Sequence, residues 1–411
     1  MKSKAAVCFL ASVLGSNLYA AEGPVPKGVR HLDHVFVIMM ENHGYSQIVN
    51  NPNAPFTNQY TKAANSATNY FAVAHPSLTN YLEVVGGSNF GVLNDNSPDW
   101  HNPSCMNNLA TGTPSLDDGT FPAICPIGGT GTDAATPVVD YTNETSGPPG
   151  EINIDGKHPE IPAASNTIGK SIADQLVAAN HSWKTYQESL PLQGANLVNN
   201  SDGFYTSSTD FTQIFPTLNP PLSQSDLVAL YAVKHDPFAY FSSVQAGHNP
   251  SNSLSNVVNF DALYGDLGSG NVPTFSFIVP NQCNDQHGRG NAGAFCNFDP
   301  LSDGTQAGLN PALIYLGDVT IQRLVTAIRS SRAWHEGRNA IVVLWDENDY
   351  STAPNVNQVL TIVDTNYGTH GRQSDQFYTH FSLLKTLEGA FELPCLNHAC
   401  DESVNVMSDL F

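Results

Sequence analysis

The sequence predicts an α/β protein with a doubly wound, mostly parallel sheet and helices on both faces. Three runs rich in β-branched residues, at 35–40, 275–279 and 340–345, are continuously apolar rather than alternating. That pattern belongs to strands covered on both faces. Between them, stretches such as 171–179 and 316–330 repeat apolar residues at three and four, which reads as amphipathic helix. Strands alternating with helices build parallel sheets through crossovers. Ligands of such sheets bind beyond the carboxyl ends of the strands, so the polar residues that follow each run are the first candidates for function.

The chain begins Met1-Lys2-Ser3-Lys4, continues through an apolar run to Leu14, and reaches small residues at Ala20 and Ala21. The expected organisation is a signal peptide at 1–21 and one large domain at 22–411, with a loop-rich insertion at about 94–164. A retained anchor is the competing reading of the leader; the apolar run is shorter than the roughly 20 residues a spanning helix needs. The expected location is therefore secreted or periplasmic. The net charge of −21 disfavours nucleic acid and anionic membranes as partners at long range, and it also serves plain solubility. A phosphorylated substrate would need a local positive focus, for which a bound cation is the economical source.

Beyond Cys8 the cysteines are Cys105, Cys125, Cys283, Cys296, Cys395 and Cys400, an even set that reads as disulfides in an exported protein. Local pairing in that order is the expectation, though six cysteines allow 15 connectivities. A zinc site using His398 beside Cys395 and Cys400 is the alternative.

Two strand ends carry similar polar pairs, Glu41-Asn42 after the first run and Asp346-Glu347 after the last, the latter followed by Asn348-Asp349. If these strands are neighbours, their side-chain oxygens converge, and carboxylates so close raise one another's pKa unless a cation compensates them. Oxygen ligation favours Mg, Ca or Mn, with Zn also open. The plainer reading is that these residues cap helices or loops. Ser77, in Ala74-His75-Pro76-Ser77-Leu78-Thr79-Asn80-Tyr81, sits where a turn enters a helix, and a helix N-terminus favours a phosphoryl group. Metal contact would activate its hydroxyl as a nucleophile, and Asn80 could donate to a phosphoryl oxygen; a simple N-cap serine is the alternative.

These residues, together with the run 280–287 and Tyr378-Thr379-His380-Phe381-Ser382, resemble the phosphoesterase family of bacterial acid phosphatases and phospholipases C. Weaker echoes at 172–176, 183–184 and 235–241 extend the resemblance over about 32–393. The resemblance implies an alkaline-phosphatase-like fold and a covalent phospho-enzyme. It matches Glu41, Asn42, Asp346 and Glu347 to the metal motifs and Ser77 to the nucleophile, with Asn80 the asparagine three residues on. Thr79, where relatives commonly have proline, and Asn348-Asp349, in place of a glycine pair, are departures. His287, just past the second run, is the expected phosphoryl ligand or proton donor. His248 is a second candidate by resemblance, with His75, His370 and His380 further ones.

The expected enzyme is a secreted, metal-dependent hydrolase of phosphate monoesters, acid-phosphatase-like, working through phosphoserine on a small phosphorylated substrate. A phospholipase C-type phosphodiesterase acting on phospholipid is the alternative; the insertion at 94–164 has few large apolar residues to guide acyl chains. A non-catalytic phosphate- or sugar-binding protein is the alternative of another class. A sulfatase would need an arginine that residues 77–81 lack.

Overall fold

The computed structural model describes residues 22–90, 170–190, 219, 230–241, 243–244, 248–289, 292–301, 303–348 and 357–411. The leader at 1–21, the insertion at 94–164 with Cys105 and Cys125, and Asp349 lie outside the described residues. The strands are β1 (His34–Met40), β2 (Asn65–Ala67), β3 (Tyr70–Phe71), β4 (Trp183–Gln187), β5 (Val257–Asn259), β6 (Phe275–Val279), β7 (Asn339–Trp345), β8 (Thr361–Thr365), β9 (Gln373–Ser374) and β10 (Tyr378–Thr379). The α-helices are α1 (Tyr45–Ile48), α2 (Pro55–Ala63), α3 (Ser77–Gly86), α4 (Ile172–Ala178), α5 (Phe260–Ser269), α6 (Pro311–Ser330) and α7 (His380–Ala390).

The main sheet runs β5-β4-β6-β1-β7-β8-β2-β9. From β5 to β7 every neighbouring pair is parallel, while β8 is antiparallel to both β7 and β2. The three apolar runs are β6, β1 and β7, the central strands, and Val35 to Met40 are all fully buried. Continuous apolarity follows from that position, since both faces of these strands are covered. The chain leaves β1 toward β4 through α3 and α4, then returns toward β7 through α5 and α6. Right-handed crossovers in opposite directions place these two helix sets on opposite faces. Packing agrees: α3 lies against α7 and α4, and α6 against α2 and α5. The doubly wound fold expected from the sequence is the one observed, with an antiparallel edge added.

Local chemistry explains where the helices sit. Asn310 caps α6 by accepting from Ala312 and Leu313, and Pro311 occupies the first helical position, where its missing N–H is harmless. Asp318 on α6 reaches across to the free amides of α2, accepting from Phe56 N and Thr57 N at 3.1 and 2.7 Å. Buried rings fill the space under β4 and β6, with Phe238 packed on Trp183 and edge-on to Phe277. Cys283 is bonded to Cys296 and Cys395 to Cys400. Two of the three expected local pairs therefore form, and the zinc alternative at Cys395, His398 and Cys400 is overturned because those sulfurs bond each other. No helix among the described residues is long and apolar enough to cross a membrane.

The consequence for function lies at one end of the sheet. Met40 pairs with Trp345 in parallel register, so residues 41 and 346 emerge side by side. The ladder continues past the strands: Asp346 N donates to Met40 O, and Glu41 N donates to Asp285 O, both at 2.9 Å. Residues following β6, β1 and β7 are thereby brought to one place.

Candidate active site

Ser77 is the first residue of α3, preceded by Pro76 in extended conformation, and it is buried. Its Oγ lies 3.0 Å from Glu41 Oε2, 3.3 Å from Glu347 Oε1 and 3.4 Å from Asn42 Oδ1. Asn42, at φ 53°, takes a left-handed turn that asparagine tolerates better than most residues, and its backbone N donates to Asp346 Oδ1 at 2.9 Å. The four oxygen-bearing residues expected at the two strand ends therefore meet around the expected hydroxyl.

Asn80, one turn along α3, is fully committed. Its Oδ1 accepts from Val73 N and Ala74 N, and its Nδ2 donates to Ala74 O at 2.7 Å and Glu347 Oε2 at 3.0 Å. In this arrangement Asn80 positions Glu347, and it reaches a phosphoryl oxygen only by releasing one of those bonds. His75 Nδ1 stands 2.9 Å from the same Glu347 oxygen. His380 braces the site from behind, with Nε2 2.7 Å from the Asp346 carbonyl oxygen and Nδ1 3.1 Å from the Tyr70 hydroxyl. Burial lowers its pKa to about 4.

His287 turns Nδ1 to its neighbour's carbonyl, Gly288 O, at 2.9 Å. That contact holds the ring hydrogen there and leaves Nε2 to accept from Lys234 Nζ at 3.2 Å. His287 N also donates to Asp285 Oδ1 at 2.7 Å. His248 is exposed on a bend and takes no part in these contacts. His370 is likewise exposed, 4.0 Å from Asp364.

Three further participants had no role assigned to them from the sequence. His235 lies with Nε2 3.3 Å from Glu41 Oε1 and Nδ1 3.4 Å from Asp285 Oδ2, its ring stacked on Tyr81 at 5.3 Å. Tyr81 donates its hydroxyl hydrogen to Glu41 Oε1. Asp285 is fully buried, as are Glu41 and Asp346. Asp285 stands as near the end of β6 as His287 does, so the strand-end rule could have found it. His235 sits on a single 3-10 turn, Val233–His235, and carries no such signal.

The electrostatics of this cluster are one-sided. Burial, reinforced by Asp346 and Asp285, pushes the Glu41 carboxyl well above the ordinary range. Burial, reinforced by Asp346, does the same to Asp285, and burial raises Asp346. Burial lowers His235, helped by Lys234 and His287.

The donor set fits a divalent cation. A hydroxyl has one hydrogen, so Ser77 can satisfy one of its three oxygen neighbours, and the other two contacts set lone pairs against lone pairs. Asp346 Oδ2 is buried without a hydrogen-bond donor, and so is His235 Nε2. Buried polar atoms of that kind are rare unless something else fills the gap. Glu41, Asn42, Asp346, Glu347 and Ser77 offer oxygens. Ligand atoms of Glu41, His235 and His287 also lie within 4.8 Å of one another, which adds imidazole nitrogen to a set expected from the sequence to be all oxygen.

Comparison with known proteins bears on this geometry directly. The model of the phosphoesterase family matches residues 47–296, a span that includes Ser77, Asn80, His235, Asp285 and His287. The chain belongs to the phosphoesterase family. With that membership it is a hydrolase acting on phosphoric ester bonds. Glu41, Asn42, Asp346 and Glu347 lie outside the family match, so their place in the site rests on the fold. Among curated relatives, a phosphatidylinositol-3-phosphatase of Mycobacterium tuberculosis is 23% identical over 369 residues, covering 89% of this chain and 79% of that protein. An acid phosphatase of Aspergillus fumigatus is 24% identical over 80% of this chain. A probable acid phosphatase of Kluyveromyces lactis is 22% identical over 90% of it. The chain spans only 48% and 61% of those two fungal and yeast proteins. Among solved structures, a protein of the alkaline phosphatase superfamily from Vibrio parahaemolyticus aligns with 93% of this chain and 72% of its own, at 10% identity and a TM-score of 0.43.

Proposed function

We propose that this family member is a secreted, metal-dependent phosphomonoesterase of the acid-phosphatase kind that works through a phosphoserine on Ser77. The observation that carries the reading is the Ser77 hydroxyl, held at a helix N-terminus within 3.4 Å of oxygens from two strand ends. Glu41, Asn42, Asp346 and Glu347, with His235 beside them, are the residues that would hold a divalent cation. When bound, such a cation would polarise the phosphoryl oxygens and lower the pKa of the serine hydroxyl.

Glu41 Oε2 accepts the Ser77 hydrogen, which aims the oxygen lone pair for in-line attack on phosphorus. The new Ser77 Oγ–P bond forms as the bond from phosphorus to the alcohol oxygen breaks. That oxygen takes the proton shared between Lys234 Nζ and His287 Nε2. In the second half water attacks the phosphoserine and its proton returns to the Lys234–His287 pair, while Ser77 Oγ leaves and takes back the hydrogen that Glu41 Oε2 accepted. Positioning and electrostatics supply most of the acceleration in such transfers. His75 and Asn80 keep Glu347 fixed, and Tyr81 keeps Glu41 fixed.

Monoester rather than diester chemistry is favoured by the relatives, which are named phosphatidylinositol-3-phosphatase and acid phosphatase. The first name also keeps a lipid-borne phosphate among the substrates to be tried. Turnover of an aryl phosphate, an aryl phosphodiester and phosphatidylcholine is compared for the wild type and Ser77→Ala. The monoester should be preferred, Ser77→Ala should be inactive with an unchanged melting temperature, and acid quenching should trap phosphate on the Ser77 peptide. Activity retained in Ser77→Ala would reject the nucleophile, and a preference for either diester would reject the substrate class.

A further inference from the structure

Just outside His287 stands an aromatic side chain whose placement the fold does not need. Phe298 leaves 48% of its surface in solvent, yet its ring packs edge-on to His287 with centroids 6.2 Å apart. The backbone beneath it is held from both sides. Cys296, two residues before, is bonded to Cys283, and its carbonyl accepts from Arg289 N at 2.5 Å. Asp299, the next residue, accepts from His43 Nε2 at 2.9 Å and from Asn310 N at 2.7 Å. Gly288 is shaped to this neighbour: it adopts φ +87°, and a Cβ there would meet Phe298 backbone and ring atoms at 3.1–3.2 Å. A disulfide, a carboxylate anchor and a left-handed glycine thus hold an apolar ring half in water. Stability gains little from a ring so exposed.

We propose that Phe298 forms the apolar wall against which the leaving group of the substrate lies, so that this site favours phosphate monoesters of aromatic or otherwise apolar alcohols over those of small polar ones. The inference rests on the phosphomonoesterase reading, because it takes His287 as the residue next to the departing oxygen. Given that, a leaving group beside the imidazole comes within reach of the Phe298 ring packed on it. An aromatic group there gains ring–ring contact with Phe298 and covers its exposed face, while glycerol finds no hydrogen-bonding partner in a phenyl ring. The contact is made equally in ground and transition states, so it belongs in KM and not in kcat.

The experiment measures kcat and KM on phenyl phosphate and on glycerol phosphate for the wild type, Phe298→Ala and Phe298→Leu, with a thermal melt of each. Phe298→Ala should raise KM for phenyl phosphate by about three- to tenfold, the worth of one aromatic contact, with kcat and the melting temperature essentially unchanged. KM for glycerol phosphate should stay within about twofold, and Phe298→Leu should fall between wild type and alanine on phenyl phosphate. Equal effects on the two substrates, an effect confined to kcat, or no effect on phenyl phosphate would overturn the proposal while leaving the phosphomonoesterase reading standing. A wild type that turns over neither substrate would overturn that reading and this proposal together.

Discussion

Asn42 and Asp346 are 304 residues apart in sequence, and the backbone N of the first donates to Oδ1 of the second at 2.9 Å. This bond locks together the ends of β1 and β7, the two strands whose acidic corners make up the site. It also leaves the other Asp346 oxygen, Oδ2, buried with no donor. Asp346→Asn tests that division of labour, since an amide oxygen can still accept from Asn42 but brings no charge to a cation. The variant should fold, and kcat/KM on an aryl phosphate should fall at least about a hundredfold, beyond what loss of an outer-shell partner usually costs. Activity within threefold of wild type would remove Asp346 from the site.

Metal dependence can be read without turnover. Three buried carboxyls, Glu41, Asp285 and Asp346, are each pushed upward chiefly by burial, so the site is under electrostatic stress that a cation would relieve. Chelator-treated protein should melt several degrees lower, since a ligand at a hundred times its Kd stabilises by about 2.7 kcal/mol. Adding back Mg, Ca, Mn or Zn one at a time should restore melting temperature and activity in the same order. Asp346→Asn should lose most of that thermal response, and an unchanged melt after chelation would argue against a resident metal.

How much of this was legible in the sequence follows from where each residue sits. Glu41, Asn42, Asp346 and Glu347 directly follow apolar runs that could only be central strands, so the strand-end rule reached them. Ser77 stood at a turn-to-helix boundary after a proline and was equally visible. His235 was not, because a residue on a three-residue turn has no period to betray its direction, and its partners Glu41 and Asp285 lie far off in the chain. The order β6-β1-β7 was also hidden: strands from opposite ends of the chain become neighbours through crossovers that no local pattern encodes. Asn80 was seen but its task was not, since its commitment to Ala74 and Glu347 depends on how α3 meets β7.

Glu388, far from the site in α7, predicts how stability varies with pH. Its Oε1 accepts from Leu396 N at 2.8 Å, its Oε2 is buried without a donor, and burial pushes its pKa well above 4.5. The folded protein therefore keeps this proton over a range where the unfolded chain has lost it. Stability from this group is fully present below the unfolded pKa and is lost as pH rises toward the folded one, by up to about 1.4 kcal/mol per unit. Glu388→Gln, which cannot ionise, should be more stable than wild type at pH 7–8 and show a flatter profile above pH 5. Urea unfolding of both proteins at intervals from pH 5 to 8 measures this. Parallel profiles would mean that Glu388 is ionised in the folded state.

Gly317 shows how a helix on the far side of β7 can govern the chemistry. A Cβ at this position of α6 would come within 2.3–2.6 Å of the Gln286 side chain. That side chain cannot swing away cheaply, because its Oε1 accepts from Trp345 Nε1 at 2.9 Å and its Nε2 donates to Ile314 O at 3.0 Å. Gln286 stands between Asp285 and His287, at φ 83°, so whatever displaces it displaces both. In an ordinary helix Gly→Ala stabilises by about 1 kcal/mol. Here Gly317→Ala should instead destabilise by about 1–3 kcal/mol from overpacking, and kcat should fall although residue 317 touches no substrate. Trimming the obstruction separates the causes: in Gly317→Ala/Gln286→Ala the steric part of the stability loss should vanish, leaving only the cost of the deleted Gln286 bonds. Unfolding free energies of the two single variants and the double variant form the cycle. If the single effects simply add, the contact between Gly317 and Gln286 carries no energy and α6 does not set the position of Asp285 and His287.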